Sequence, residues 1–146
     1  MRTVALLLAL CGTALAGELP DARLTPGVAV SALTKEKLCA KGFSTRSIRN
    51  VPKAVKDQAY AEYGLTRNKP PCPCEVDHLI SLEVGGSNDI GNLWPQSYTT
   101  LPWNAHVKDK LENRMHKLLC NGTVTLEQAQ SALADNWIIS YARYMK

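Results

Sequence analysis

A carboxylate and an imidazole stand side by side at Asp77 and His78, at the end of an apolar run that indicates a strand. A glycine-rich turn over residues 85–89 follows, and Asn92 begins a second short apolar run. A helical pattern that carries His106 comes next. These residues supply a hard oxygen ligand, a base with a pKa near neutrality and an amide that can orient the base. They are the groups that a one-metal phosphodiesterase needs.

The text VDHLISLEVGGSNDIGNL, residues 76–93, resembles the hairpin of the HNH family of ββα-metal nucleases. The resemblance covers about residues 74–118. The flanking texts AYAEYGL and NAHVKDKLENRMHKLLC are similar to those of small exported bacterial proteins of this group. The resemblance implies an α+β fold, mainly helical, in which one β-hairpin and a following helix form the ββα-metal motif. It also implies an endonuclease that cuts DNA, or RNA, with little sequence specificity.

The resemblance makes His78 the general base and Asp77 a ligand of one divalent ion, most simply Mg²⁺. The ion would contact a non-bridging phosphate oxygen and the leaving 3′ oxygen, while His78 takes a proton from water on the opposite side. Asn92 would fix the loop across the hairpin and keep the base in register. The alternatives are structural: a histidine satisfied at a strand end, an aspartate that caps a turn, and an asparagine that caps the Gly91 bend.

The helix that follows the hairpin offers two metal ligands, Asn104 and His106, on opposite flanks of its apolar stripe. Only one of them can be well placed. We favour His106, because it shares its flank with Lys110 and would set a cation near a phosphate. Asp109 is a weaker candidate on the same side. Lys108, on the flank of Asn104, and Lys110 are the expected phosphate-binding residues.

The chain is mildly basic, with a formal net charge of +4 that falls by one if Arg2 is removed. This charge is compatible with a nucleic-acid substrate but does not indicate one by itself. A basic run before and into the first clear helix could contact the nucleic-acid backbone, or form a solvated face. The run consists of Arg46, Arg49, Lys53 and Lys56.

Residues 1–16 have the pattern of a signal peptide. Arg2 provides the charge, residues 4–10 are apolar, and residues 14–16 form a small-x-small cleavage site. The apolar run is too short for a stable membrane anchor. A lipoprotein signal at Cys11 is disfavoured, because Leu10 stands where a small residue is expected. The pattern predicts export to the periplasm or the medium.

Cleavage leaves four cysteines, an even count that favours two disulfides in an exported protein. They are Cys39, Cys72, Cys74 and Cys120. A ring through Cys72 and Cys74 alone would strain the bond geometry. We therefore expect Cys39 and Cys120 to pair separately with this central pair. A four-cysteine zinc site is the alternative.

The sequence divides into an N-terminal arm with helices (17–70), a nuclease core (71–122) and a C-terminal packing helix (123–146). Residues 17–26 indicate a loose arm. Helices are expected over 31–41, over 52–63, from Pro102 to Gly122, and after a capping box at Thr125. Strands are expected over 74–82 and 92–94, with Pro95 ending the second.

A non-catalytic exported binding or scaffold protein on the same hairpin is the competing function. A scaffold does not need a carboxylate, an imidazole and an amide together at one hairpin. The joint presence of Asp77, His78 and Asn92 therefore favours the enzyme.

Overall fold

The computed structural model describes residues 18–146. Within them the helices and strands are α1 (Lys35–Leu38), α2 (Lys53–Glu62), β1 (Cys74–His78), β2 (Leu93–Ser97), α3 (Ala105–Cys120), α4 (Leu126–Ala134) and α5 (Trp137–Tyr144). Short 3₁₀ turns cover Thr45–Ser47, Leu82–Val84 and Ile90–Asn92. The α+β class, mainly helical with one hairpin, is confirmed for this part of the chain. The predicted signal peptide lies outside it.

The two strands form one antiparallel hairpin, with Cys74 opposite Ser97 and His78 opposite Leu93. β1 ends at His78, earlier than expected. β2 continues through Pro95, which lies opposite Val76, so the prediction that Pro95 ends the strand is wrong. Each strand of a two-stranded sheet has an unpaired edge, and proline is tolerated there because no ladder hydrogen bond is lost.

The N-terminal segment is not the loose arm expected from its composition. Thr25 is buried, and its hydroxyl donates to the carbonyl of Leu93 at 3.1 Å and lies 2.8 Å from the Tyr63 hydroxyl. The indole of Trp137 donates to the carbonyl of Glu18 at 2.9 Å. These partners are far away in the sequence, so the local pattern could not reveal them. The segment fastens the hairpin to α2 and α5.

Helix α3 carries the main core on one face. Its buried residues are Ala105, Lys108, Leu111, Met115, Leu118 and Leu119. They face α4, α5 and the 3₁₀ turn after β1. Trp103 packs edge-on against Trp137 and Tyr141, with ring centroids 5.8 and 5.5 Å apart. This aromatic group closes the core at the start of α3.

The C-terminal region contains two helices where one was expected. α4 begins with the predicted capping box, in which the Thr125 hydroxyl accepts from the backbone N–H of Gln128 and the Gln128 side chain accepts in return. Asn136 then caps α5 by accepting from Ile138 and Ile139, both at 3.1 Å. An asparagine that caps a new helix turn interrupts the continuous apolar pattern.

The expected cysteine pairing is wrong. Cys39 lies at disulfide distance from Cys120, with Cα atoms 5.4 Å apart, and Cys72 lies at disulfide distance from Cys74. Cys39 directly follows α1, which packs against α3, and Cys120 is the last residue of α3. Tertiary packing therefore selects this partner. No helix among the described residues is long and apolar enough to cross a membrane.

Candidate functional site

His78 is the last residue of β1 and is buried, with 4% of its surface exposed. Its Nε2 lies 3.0 Å from Oδ1 of Asn88. The Asn88 amide nitrogen donates to the carbonyl of Ile48 at 2.8 Å, and this contact sets the orientation of the amide. Oδ1 can only accept, so we assign the proton to Nε2 of His78. Nδ1 is then the nitrogen with a free lone pair.

The environment of His78 favours a neutral ring. Burial lowers the pKa of the imidazole, and the positive charge of Arg49 lowers it further. The contact with Asn88 and the negative charge of Asp77 oppose this shift without reversing it. A neutral imidazole at pH 7 can accept a proton, as a general base must.

Asn92 lies beneath the loop that joins the two strands and is fully buried. Its Oδ1 accepts from the N–H of Ile80 at 2.9 Å and of Val28 at 3.3 Å. Its Nδ2 donates to the carbonyls of Ile80 and Ser87, at 3.0 and 2.9 Å. One side chain thus links the end of β1, the glycine turn and the N-terminal segment. Asn92 does fix the loop, and its catalytic importance stays a prediction.

The two glycines of the turn make this close packing possible. A Cβ on Gly86 would lie 1.7 Å from the carbonyl oxygen of Ile80, so no other residue fits there. Gly85 has a φ of +83°, a left-handed conformation that glycine adopts without strain. The Gly-Gly pair therefore allows the loop to close onto Asn92.

Asp77 faces an ammonium group that belongs to the protein. Nζ of Lys108 donates to Oδ2 of Asp77 at 2.7 Å, to the carbonyl of His78 at 2.8 Å and to Oε1 of Glu112. Lys108 is completely buried, and only 14% of the Asp77 side chain is exposed. All three donor positions of the ammonium are used. The contact ties the end of β1 to α3.

The charges of this group are unequal, because two carboxylates surround one ammonium. Burial by itself lowers the pKa of Lys108, but Asp77 and Glu112 outweigh it and leave the pKa raised, so the ammonium stays charged. Burial raises the pKa of Glu112, and the negative charge of Asp77 adds to the shift. A proton on Glu112 would balance the buried charges.

Lys108 was expected on the surface as a phosphate-binding residue, and that placement is wrong. Its ammonium is buried against Asp77, Glu112 and the carbonyl of His78. A lysine with two acidic partners can be buried in the apolar stripe of a helix. Lys110 is exposed on α3, as a phosphate-binding residue must be, and its role stays a prediction.

The predicted helix ligands lie at the start of α3. Asn104 caps the helix: its Oδ1 accepts from the N–H of Val107 at 3.2 Å, and its Nδ2 donates to the carbonyl of Thr100 at 3.1 Å. Both halves of this amide are therefore occupied. His106 is exposed, and its ring centroid lies 5.3 Å from that of Tyr98. Neither residue has a hydrogen bond to Asp77 among the described contacts.

Asp109 belongs to a group of acidic side chains near Asp77. Burial raises the pKa of Asp109 and of Glu75, and the negative charge of Asp77 raises both further. The Tyr98 hydroxyl donates to Oε2 of Glu75 at 2.9 Å. This face of the hairpin is therefore rich in carboxyl groups that resist ionisation.

The residues predicted to hold a divalent ion do not fit one in the arrangement found. The Lys108 ammonium lies against Asp77, Asn104 caps its helix, and His106 packs on an exposed tyrosine. Ammonium and metal would compete for the same carboxylate. We therefore derive no catalytic step through an ion at Asp77.

A different group of side chains could hold a metal ion. The ligand atoms of Cys39, His116 and Cys120 all lie within 4.8 Å of one another. His116 is half-buried, with Nε2 3.4 Å from Sγ of Cys120. The type of metal is not determined by this set. The same two cysteines lie at disulfide distance, and a disulfide has no thiolate to offer a metal.

Sequence reasoning missed Asn88 and Glu112, and it gave Lys108 a different role from the one found. Lys108 and Glu112 have the four-residue spacing of a helical ion pair, and Lys108 precedes Leu111 by three residues, in phase with the buried face. That combination was a signal for a buried pair. Asn88 gave no such signal, because asparagine is common in turns.

The sequence matches no protein-family model and no curated protein, and no solved structure matches the fold.

Proposed function

We propose that this chain is an exported nuclease that hydrolyses phosphodiester bonds of DNA, or RNA, on a hairpin-plus-helix motif of the HNH type. The observation that carries the proposal is the state of His78. Burial lowers the pKa of its ring, Asn88 contacts Nε2, and the tautomer assigned from that contact leaves Nδ1 as the proton acceptor. This is the state that a general base requires before the reaction begins.

The reaction needs little more from the protein than a base and a positive charge. Nδ1 of His78 takes a proton from water as the water oxygen bonds to phosphorus. The bond from phosphorus to the leaving oxygen breaks, and that oxygen takes a proton from solvent. Arg49 is close enough to His78 to lower the pKa of the imidazole, and it can offset the negative charge of the phosphate.

A divalent ion, most simply Mg²⁺, remains part of the proposal. It would supply further charge compensation for the phosphate oxygens. Its proposed ligands are Asp77, His106 and Asn104, which would have to exchange their present contacts with Lys108, with Tyr98 and with the start of α3 for the ion.

A non-catalytic scaffold is the second candidate, and one specific observation favours it. The carboxylate expected to bind a metal is already neutralised by Lys108. In that case the site would be a structural contact between β1 and α3. Measurement of activity separates the two functions.

The proposed location is an oxidising compartment, the periplasm or the medium. Two cysteine pairs at disulfide distance support it, because disulfides persist in such compartments. Mass spectrometry of the exported protein after thiol alkylation tests the location. Four alkylated thiols in mature protein from that compartment would contradict it.

The test of the function is digestion of plasmid DNA by the wild-type protein with Mg²⁺, by the wild-type protein with EDTA, and by His78→Ala with Mg²⁺. We expect cutting only in the first reaction. His116→Ala is the control, because this histidine contacts the carbonyl of Leu38 and not His78. It should cut like wild type once circular dichroism shows that it folds. A parallel series with RNA determines the type of nucleic acid.

Each other outcome has a distinct meaning. Equal cutting by His78→Ala would remove the base assignment. Full cutting in EDTA would contradict the role of an external ion and leave Arg49 as the cation that faces the phosphate. An inactive, folded wild-type protein on both nucleic acids would favour the scaffold.

A further inference from the structure

A cationic cavity lies beside β1, next to the proposed site. Its volume is about 310 Å³. The residues that matter for its chemistry are Arg49, Lys56, Tyr60, Arg67, Glu75 and Tyr98. Three cationic side chains and one carboxylate line the cavity, so its lining is positively charged. The neighbouring surface around Asp77 is acidic by contrast.

Two of the three cations are available to a ligand. Arg49 and Lys56 have no carboxylate within 4.0 Å among residues 18–146, whereas Arg67 is bound to Asp57 at 2.6 Å. Arg49 is exposed and Lys56 is half-buried. Cations without a protein counter-charge at the edge of a cavity attract phosphate.

The single carboxylate of the lining is partly masked. Tyr98 donates its hydroxyl to Oε2 of Glu75 at 2.9 Å. Burial also raises the pKa of Glu75, which favours its neutral form. Glu75 therefore opposes an anionic ligand less than an exposed glutamate would.

One exposed aromatic ring, that of Tyr98, lines the cavity, and the second tyrosine of the lining, Tyr60, is buried. Tyr98 is 37% exposed and its ring lies 5.3 Å from the ring of His106. Tyr60 is fixed by its hydroxyl, which donates to the carbonyl of Cys74 at 2.6 Å. Cations combined with an accessible aromatic face are the pattern that binds single-stranded nucleic acids, because bases stack on the ring while phosphates contact the cations.

The cavity is also aligned with the proposed base. Its lining includes Val76, two residues before His78 on β1, which corresponds to about 7 Å along a strand. Arg49 connects the two places, since it lines the cavity and its charge acts on His78. A nucleotide chain that follows β1 would reach both.

We propose that this cavity binds the phosphate adjacent to the one that is cut, on a single-stranded nucleic acid, with a base stacked on Tyr98. The inference rests on the proposed function and adds a preference for unpaired strands. Lys56 holds this phosphate, Arg49 lies between it and the phosphate that is cut, and Tyr98 holds the base.

Binding is measured by fluorescence anisotropy with a labelled single strand of about 10 nucleotides, in EDTA and on a His78→Ala background so that the strand stays intact. The test variant adds Arg49→Ala and Lys56→Ala. The matched control adds Lys41→Ala and Arg143→Ala, which remove the same charge from exposed positions outside the cavity. We expect the test variant to bind about tenfold or more weakly, with a salt slope reduced by about 1.4 for two lost phosphate contacts. The control should change little.

The stacking contact has a separate test in the same assay. Tyr98→Leu should weaken binding about tenfold, whereas Tyr98→Phe should keep most of it, because phenylalanine retains the ring and loses only the hydroxyl. Equal losses in both variants would show that the bond to Glu75 matters and would overturn the stacking assignment. A duplex of the same sequence should bind more weakly than the single strand.

Other outcomes would contradict the proposal that the cavity binds a phosphate of the strand. Equal weakening by the test and control pairs would mean general charge attraction and no subsite. Equal competition by heparin would assign the cavity to polyanions in general. A wild-type protein that binds the strand through Arg49 and Lys56 but never cuts it would leave this subsite standing and contradict only the nuclease.

Discussion

The Nζ atom of Lys108 lies 2.7 Å from Oδ2 of Asp77, so the carboxylate beside the proposed base faces a cation of the protein itself. The lysine is completely buried. Its third partner, Glu112, stands four residues later on α3. A buried charge of this kind is tolerated only while its partners remain, so the group should be sensitive to the loss of any member.

Lys108→Met should destabilise the protein by about 3–5 kcal/mol, because it leaves two buried carboxylates without their cation. Urea unfolding measures the change. Lys110→Met, an exposed lysine on the same helix, is the control and should stay within about 0.5 kcal/mol of wild type. Adding Asp77→Asn and Glu112→Gln to Lys108→Met should recover much of the loss. Equal destabilisation by Lys108→Met and Lys110→Met would contradict the importance of the buried ion pairs of Lys108.

His78 should make stability depend on pH in a specific direction. Burial lowers its pKa in the folded state below the ordinary value of 6.5. Its contribution is therefore present above pH 6.5 and is lost as the pH falls through the lower folded-state pKa. Compared with His78→Gln, wild type should lose stability more steeply on acidification from about pH 8 to about pH 5. The free energy of unfolding is measured with urea at each pH for both proteins. If its dependence on pH were the same in wild type and His78→Gln, the lowered pKa of His78 would be contradicted.

Asn88 should act as a positioning residue that sets the pKa of His78. Asn88→Asp replaces the neutral oxygen at Nε2 by a carboxylate, which should raise the pKa of His78 by about 1–3 units. NMR titration of the imidazole measures this shift without any need for activity. In a nuclease assay, the acidic limb of the rate profile should move to higher pH by a similar amount.

Asn50→Asp is the control for this charge. It adds the same carboxylate nearby, at an exposed residue whose N–H donates to Asn88 Oδ1 at 3.4 Å and whose side chain does not contact His78. Its effect on the pKa should be clearly smaller. Equal shifts of the His78 pKa in the two variants would indicate a general effect of the added charge. They would contradict a specific role for the contact between Asn88 and Nε2.

Asn92→Ala should destabilise the protein by about 3 kcal/mol or more. It leaves several buried backbone groups of the loop without partners, each worth about 1–3 kcal/mol. Asn113→Ala, an exposed residue with one bond to a backbone carbonyl, should cost far less. Thermal unfolding followed by circular dichroism compares the two. A small loss for Asn92→Ala would mean that the loop does not depend on this amide.

The two cysteine pairs should differ in their contribution to stability. Cys39 and Cys120 enclose a long loop with a separation of 81 residues, whereas Cys72 and Cys74 are two residues apart. A disulfide stabilises a protein mainly by restricting its unfolded chain, and a longer loop gives a larger effect. The free energy of unfolding should therefore fall by about 4–5 kcal/mol in Cys39→Ser with Cys120→Ser, and by about 1–2 kcal/mol in Cys72→Ser with Cys74→Ser. Urea unfolding under non-reducing conditions measures both. The reverse order would contradict the pairing.

Much of the local structure follows from local patterns. The helix after Pro52, the start of the hairpin at Cys74 and the capping box at Thr125 were all predicted near their observed places. In each case the signal lies within a few neighbouring residues, such as a helical repeat or a side chain that caps its own turn. Asn136 shows the limit, because a second cap inside a continuous apolar pattern was not distinguished from a helix interior.

The sequence by itself determined which chemical groups stand at the hairpin: a carboxylate and an imidazole at the end of β1, and an amide just before β2 that closes the loop. Only the tertiary structure decided what surrounds them. Asp77 and Lys108 are 31 residues apart, and Cys39 and Cys120 are 81 apart. The environment of a charge or a thiol depends on the elements that pack against it. Those contacts form between distant segments, where short-range periodicity carries no information.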